Sequence, residues 1–319
     1  MVRIHKYIIF FYLFIFSCER NIVSSVESDD LSYVSLCNDK DFLNTLSVLS
    51  FNKLSTTSLN SVAEVIEHLD PDIIGLQEAY DMGLDIADRF NYCYYGNTKN
   101  STAVLSKYPI QGINYMQSKI ILNDSLYINF FNLHLNAYPY QPYDIRDTII
   151  TTEAQAIYQA QQTRGDEVDL LKSLILESMN PMPTIVTGDF NEPSHLDWVV
   201  GAQNPQNFQI NGDDFIVNWP TSHLMSDMDF IDSYREKYNN PVESPGYTWT
   251  PNISLNEVND RIDFIYYRPS YDLSIIDDNI LGISLASVYV IGPDQFSNII
   301  IDNYESDHRG VFAIFNIDY

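Results

Sequence analysis

From Pro183 to Pro193 the chain reads Pro-Thr-Ile-Val-Thr-Gly-Asp-Phe-Asn-Glu-Pro, and this stretch constrains the fold more than any other. Its β-branched run favours an extended, half-buried strand. Gly188 ends the run, and Pro193 lacks the amide that regular continuation needs. On an extended backbone, residues two apart point the same way. Asp189 and Asn191 therefore present a carboxylate and an amide together at the end of a strand. Such a pair suits a water molecule or a metal ion beside a phosphate. Gly-Asp-x-Asn is also ordinary turn chemistry, and this stretch alone leaves both readings open.

The rest of the chain repeats the pattern of an apolar strand with a polar residue at its end. Leu46 to Phe51 alternates as a strand and stops at Asn52. Val62, Val65, Ile66 and Leu69 form a helical stripe closed by Asp70-Pro71. A second strand from Ile73 delivers Gln77-Glu78. Thr102 to Ser106 is a strand broken at Tyr108-Pro109. Lys119 to Leu122 and Leu126 to Leu135 flank Asn123-Asp124-Ser125 as a hairpin whose second arm carries His134. Residues 138–152, with two prolines and several tyrosines, read as a loop. Glu153 to Met179 reads as a helix with Leu170, Leu171, Leu174 and Ile175 on its apolar side. His195 to Val200 reads as a helical turn or more, residues 201–222 as irregular, and Asp229 to Tyr238 as a short helix. Arg261 to Tyr267, Leu281 to Ile291 and Val311 to Phe315 complete the strands. Strands outnumber helices, and hairpins alternate with strand–helix–strand units. The pattern predicts an α/β fold, two packed mixed β-sheets with helices outside, in one domain over residues 45–319.

Upstream, Arg3, His5 and Lys6 precede an apolar run from Tyr7 to Phe16 and then Ser17-Cys18. The run is too short to span a bilayer and suits a secretory leader, so residues 1–17 are expected to be a signal segment. Cys18 follows a small residue, as at a bacterial lipoprotein cleavage site. Residues 18–44 are polar and read as a tether. The expected location is therefore outside the cytoplasm, as a cell-envelope lipoprotein tethered through Cys18 or as a secreted protein. Of three cysteines, Cys37 and Cys93 remain free to pair if Cys18 is lipidated. The formal charge is -26, with 17 Lys plus Arg against 43 Asp plus Glu. Such a surface repels polyanions, and no Lys/Arg cluster offers the phosphate contacts of duplex binding. No stable nucleic-acid complex is expected, and the chain is expected to be a monomer.

Six signals stand in order: Asn52, Gln77-Glu78, His134-Leu135, Gly188-Asp189-Phe190-Asn191, Arg261-Ile262-Asp263-Phe264 and Ser306-Asp307-His308. Together with Ala103 to Ile110 and Tyr247-Thr248-Trp249-Thr250, they resemble the endonuclease/exonuclease/phosphatase superfamily over nearly all of residues 45–319. That resemblance implies a four-layer α/β sandwich and metal-dependent phosphoester hydrolysis. It implies Mg²⁺, with Mn²⁺ or Ca²⁺ as alternatives, held mainly by Glu78 with Asn52 and Asp307. It implies that Asp189 orients or deprotonates the attacking water and that Asn191 binds a phosphoryl oxygen. His134 donates to a phosphoryl or leaving oxygen. His308 sits against Asp263, as base or as charged phosphate ligand. His195 and Trp249 are expected at the pocket's edge as substrate contacts, and Asn136 to Tyr143 as a wall. Abasic-site enzymes carry an acid two positions after the strand-end Asn. Here that position is Leu54, which predicts one dominant metal site. The expected function is hydrolysis of a small or lipid-head-group phosphoester, diester or monoester. An extracellular nuclease is the second reading, and an inactive surface-anchored binding protein the third.

Overall fold

Along each central strand, neighbouring residues enter different cores. Val48, Ile73, Val104, Phe130, Ile185 and Ile265 belong to one buried cluster. Leu49, Ile74 and Leu105 belong to a second, shared with Val62, Val65 and Ile66 of the helix Leu59–Leu69 and Ile86 of Met82–Phe90. Phe131, Val186 and Tyr266 belong to a third, with Val168, Leu171 and Ile175 of the helix Glu153–Glu177 and Met225 of Pro220–Asp227. Side chains alternate across a strand. One face of each sheet therefore meets the other sheet, and the opposite face meets helices. The result is the four-layer helix–sheet–sheet–helix sandwich that the sequence predicts.

The computed structural model describes residues 34–35, 44–97, 101–123, 126–202, 209–210, 213–251, 257–270 and 282–318. The leader read at 1–17, Cys18, Cys37 and most of the tether lie outside the described residues. One sheet runs Val34–Ser35, Ile110–Asn114, Gln117–Ile121, Tyr127–His134, Thr184–Asp189, Asp263–Arg268, Ile231–Asp232 from edge to edge. The other runs Ile299–Ile300, Gly282–Gly292, Gly310–Asp318, Thr45–Asn52, Ile73–Gln77, Thr102–Ser106, Cys93–Asn97. Both are mixed. Tyr127–His134 lies parallel to Thr184–Asp189, and Thr45–Asn52 lies parallel to Ile73–Gln77. Among the described residues, no helix is long and apolar enough to cross a membrane.

Four local expectations need correcting. Val34–Ser35, inside the stretch read as tether, pairs antiparallel with Ile110 and Gln111 as an edge strand. The loop read at 138–152 contains a helix, Gln141–Arg146, with Pro142 in its first turn, where a missing amide costs nothing. His195 to Val200 forms turns without a helix. In the helix Glu153–Glu177 the buried stripe is Ala156, Ala160, Arg164, Val168, Leu171 and Ile175, while Leu170 faces solvent. The stripe passes through an arginine because Arg164 is paired inside: its Nε lies 3.2 Å from Glu192, and both side chains are buried.

A polar seam between the sheets fixes their alignment. Gln77 Nε2 donates to Asn132 Oδ1 at 2.7 Å, and Thr187 Oγ1 donates to the same oxygen at 3.1 Å. Asn132 Nδ2 reaches back to the carbonyls of Leu76 and Ala103 at 3.1 and 3.0 Å. Gly188 N donates to Ser50 Oγ at 3.0 Å. Gly75 makes this approach feasible, since a Cβ there would lie 2.1 Å from Thr187 Oγ1. Buried polar groups that satisfy one another specify a single arrangement. This arrangement brings the ends of Thr45–Asn52 and Ile73–Gln77 beside the end of Thr184–Asp189.

Candidate active site

His134, Asp189 and Asp263 are register partners on three adjacent strands, so their side chains leave the sheet end in one row. Asp189 is the centre. Its Oδ2 accepts from Asn52 Nδ2 at 3.0 Å across the seam. The same oxygen lies 3.5 Å from His134 Nε2 and 3.7 Å from His308 Nε2. Its Oδ1 accepts from the backbone N–H of Asn191 at 2.9 Å, the bond that the alternate spacing of acid and amide makes available. Asn191 Nδ2 holds the carbonyl of Leu135 at 2.9 Å. His308 Nδ1 meets Asp263 Oδ2 at 2.9 Å, and both residues are buried. Glu78 faces Asn52 Nδ2 at 3.5 Å and accepts from Ser55 N at 2.7 Å.

Hydroxyls set these positions. Ser306 Oγ donates to the Asn52 carbonyl at 2.6 Å and accepts from His308 N at 3.1 Å, joining the first and last signals of the series. Thr248 Oγ1 accepts from the amides of Ile262 and Asp263, each at 3.0 Å. Thr250 Oγ1 donates to the Asp307 carbonyl at 2.7 Å. The Tyr-Thr-Trp-Thr stretch thus anchors two site residues through its threonines. Leu54, Glu78 and Asn191 have positive φ values of 60°, 52° and 48°. This backbone conformation costs Leu54 and Glu78 more than it costs Asn191, since Asn enters the left-handed region readily.

Charge is concentrated at the same place. Burial pushes the Asp263 carboxyl up to about 6, against the pull of His308. Burial alone would lower His308, but Asp263, Asp189 and Asp307 outweigh it and lift the imidazole to about 10. Near neutral pH the pair is therefore imidazolium and carboxylate. Burial also raises Asp307, with Glu78 and Asp189 adding to the rise against His308. Asp307 Oδ1 is buried with no hydrogen-bond partner among the described residues. Two hard carboxylates that repel each other, one with an orphaned oxygen, fit a small divalent cation. Asp189, Asp263 and His308 also have ligand atoms within 4.8 Å of one another. There, however, the imidazole is held protonated and its Nδ1 is committed to Asp263.

Most of these groups line an open cleft of about 150 Å³. Asn52, Glu78, His134, Asp189, Asn191, Asp307 and His308 form its polar side. Tyr138, Tyr140, Tyr143 and Trp249 form an aromatic side, so the stretch after His134 is a wall. Trp249 stands 4.8 Å ring to ring from His308 and donates its Nε1 to the Tyr143 hydroxyl at 3.1 Å. Asp263 lies behind His308 and does not line the cleft. His195, expected at the edge, is not among the lining residues: its amide and its Nδ1 bind Ser222 Oγ at 2.7 and 2.9 Å, turning the ring toward His223. Ile262, inside the Arg-Ile-Asp-Phe signal, and Ala137, inside the expected wall, also line the cleft.

A family model described as the Endonuclease/Exonuclease/phosphatase family matches residues 45–308. The chain belongs to this family. Family members are metal-dependent phosphoester hydrolases, and so is this chain. An uncharacterized protein of Caenorhabditis elegans is 28% identical over 276 residues, covering 79% of this chain and 83% of its own length. An AP endonuclease from Archaeoglobus fulgidus superposes with a TM-score of 0.55 at 15% identity, over 85% of this chain and 99% of that one. A humanized D. rerio TDP2 with 14 mutations superposes with a TM-score of 0.52 at 14% identity, over 86% of this chain and 100% of that one. At these identities the likeness to the two solved structures is one of fold.

Proposed function

We propose that this cleft hydrolyses a phosphoester whose alcohol is small or is a lipid head group, with Asp189 as the water-orienting acid. The observation that carries the reading is the ring around Asp189 Oδ2: an amide and two imidazole nitrogens at 3.0 to 3.7 Å. An anion at that point, beside donors aimed into the same space, can hold a water by one proton while the donors meet a phosphoryl group.

His308 stays protonated because Asp263 backs it, so its Nε2 acts as a charged donor to a phosphoryl oxygen and not as the base. Asn191 has a second amide hydrogen beyond the one given to Leu135, and this donates to another oxygen. His134, partly exposed at the cleft, delivers a proton toward the leaving oxygen. Asn52 keeps Asp189 oriented. Glu78 and Asp307, with Asn52, are the residues that would hold Mg²⁺. A divalent cation there would supply positive charge against the developing negative charge on the phosphate.

The lining supports this substrate class. Among the described residues that line the cleft, none is Lys or Arg, while four are aromatic. A polyanion finds no lysine or arginine there, whereas a weakly charged alcohol can lie on the tyrosines and Trp249. Export is part of the proposal: a leader at residues 1–17 and a lipid-bearing Cys18. It is supported by Cys93, which is disulfide-bonded, a state that persists in oxidising compartments.

The test is a panel. Purified residues 19–319 with Mg²⁺ should turn over sphingomyelin, inositol phosphates or a generic aryl phosphodiester faster than DNA or RNA. Rapid DNA nicking at physiological salt would replace this reading with an extracellular nuclease. No turnover with any divalent metal would leave a binding protein. Acyl mass on Cys18 decides between tether and free secretion.

A further inference from the structure

Asp260 has no part in the chemistry above, yet it bonds two segments that line the cleft and a third outside it. It is buried. Its Oδ2 accepts from the Tyr140 hydroxyl at 2.8 Å, and its Oδ1 accepts from Trp198 Nε1 at 2.9 Å. Its backbone exchanges both hydrogen bonds with Trp249, at 2.8 and 2.9 Å, and its carbonyl also accepts from Thr248 N at 3.0 Å. Tyr140 and Trp249 line the cleft. Tyr140 packs edge-on against Tyr143 at 5.0 Å between ring centres. The Tyr143 hydroxyl in turn donates to Glu257 at 2.6 Å and accepts from Trp249 Nε1. Asp260 thus lies beneath the aromatic side of the cleft and ties its two halves together.

The residue type matters. Tyr140 and Trp198 each bring a donor from a different segment. Only a carboxylate can accept at both oxygens, whereas an amide has one acceptor oxygen and a donor nitrogen. Burying a charge without an ion pair is costly, and a costly buried group beside a cleft points to function.

The geometry points to Asp260 as a positioning residue that holds the aromatic wall in register with Asp189 and His308, and so sets how well the alcohol portion of a phosphoester fits. This rests on the reading that the cleft binds a phosphoester. Burial pushes Asp260 up to about 7, against the hydrogen bonds from Tyr140 and Trp198, and nearby Asp197 adds to the rise. Tyr247 and Tyr140 also face it, each raised by burial with the Asp260 charge adding, and Arg164 acts in the opposite sense on Tyr140. Above about pH 7 the ionised carboxylate accepts from both donors. Below it, a proton on one oxygen competes with the Tyr140 hydroxyl and the wall loosens.

The experiment compares wild type, Asp260→Asn and Tyr140→Phe on bis(p-nitrophenyl) phosphate and methyl p-nitrophenyl phosphate, with tryptophan fluorescence followed from about pH 5.5 to 8.5. Asp260→Asn should raise KM for the diaryl ester roughly five- to tenfold, as for one lost hydrogen bond, and clearly more than for the methyl ester. Wild-type fluorescence should show a transition near pH 7 that Asp260→Asn lacks. Tyr140→Phe should repeat the KM effect, and it carries the test if the Asn variant does not fold. An unchanged KM ratio, together with a fluorescence transition that survives Asp260→Asn, overturns the proposal. If neither ester is hydrolysed by wild type, the phosphoesterase reading fails, and the fluorescence titration still decides the role of Asp260.

Discussion

Replacing Asp263 by Asn removes one charge from behind His308 and leaves the shape almost unchanged. The imidazole stands at about 10 in the folded protein against an ordinary value near 6.5. Asp263, Asp189 and Asp307 together hold the imidazole cationic, and Asp263 is the one in hydrogen-bond contact, at 2.9 Å. Breaking a buried charged pair costs about 3 kcal/mol, which corresponds to a loss of roughly 10²-fold in kcat where the charged imidazole that stabilises the phosphoryl group is lost. The pH dependence has a definite sign. In wild type the cation persists until the pH rises toward 10, so His308 does not limit the rate near neutrality. In Asp263→Asn, burial is less opposed and the proton is lost at lower pH. The ratio of wild-type to variant kcat should then widen between about pH 6 and 9. The assay is kcat for bis(p-nitrophenyl) phosphate at saturating Mg²⁺, with a thermal melt to establish that the variant is folded. A folded variant with kcat within about threefold of wild type at every pH would refute the reasoning.

Three further outcomes are expected. Gly75→Ala puts a Cβ 2.1 Å from Thr187 Oγ1 between the sheets, so it should lower stability by about 1–3 kcal/mol or more, read as a shift in the urea midpoint. Mg²⁺ should raise the Tm of wild type, since a ligand at 100 times its Kd adds about 2.7 kcal/mol, and Glu78→Gln should abolish most of that rise while the metal-free Tm changes little. Reducing the Cys93 disulfide should cost roughly 2–4 kcal/mol, visible as a lower melting temperature in dithiothreitol.

The strand ends were legible in the sequence because their signals are local. Gly188 and Pro193 stop one strand, Asn52 another, and alternation marks the faces, so Thr102–Ser106 and the position of His134 follow from the residues themselves. What the sequence hid depends on partners far along the chain. The sequence does not name the partners, Glu192 and Gln141, that hold Arg164 in the buried stripe. Leu170 looks like core by composition, but the stripe through Arg164 turns it outward. His195 follows the central motif closely, yet Ser222, 27 residues later, captures its ring. Asp260 reads as an ordinary acid before Arg261, and nothing local announces that Tyr140 and Trp198 converge on it. Val34–Ser35 is too short to carry a pattern and is a strand only through the edge it joins. The Gln77–Asn132–Thr187 seam likewise joins residues that no spacing rule relates.

The central claim is that residues from several strand ends form one metal-dependent phosphoesterase site around Asp189. Its most direct test is single-turnover hydrolysis of an aryl phosphodiester by the purified chain with Mg²⁺, after chelation, after Mg²⁺ is restored, and in Asp189→Asn. The account predicts turnover that chelation abolishes and Mg²⁺ restores, and a folded Asp189→Asn variant slower by about 10²-fold or more, as for loss of a positioned general base. Turnover that survives chelation, or an Asp189→Asn variant as fast as wild type, would contradict it.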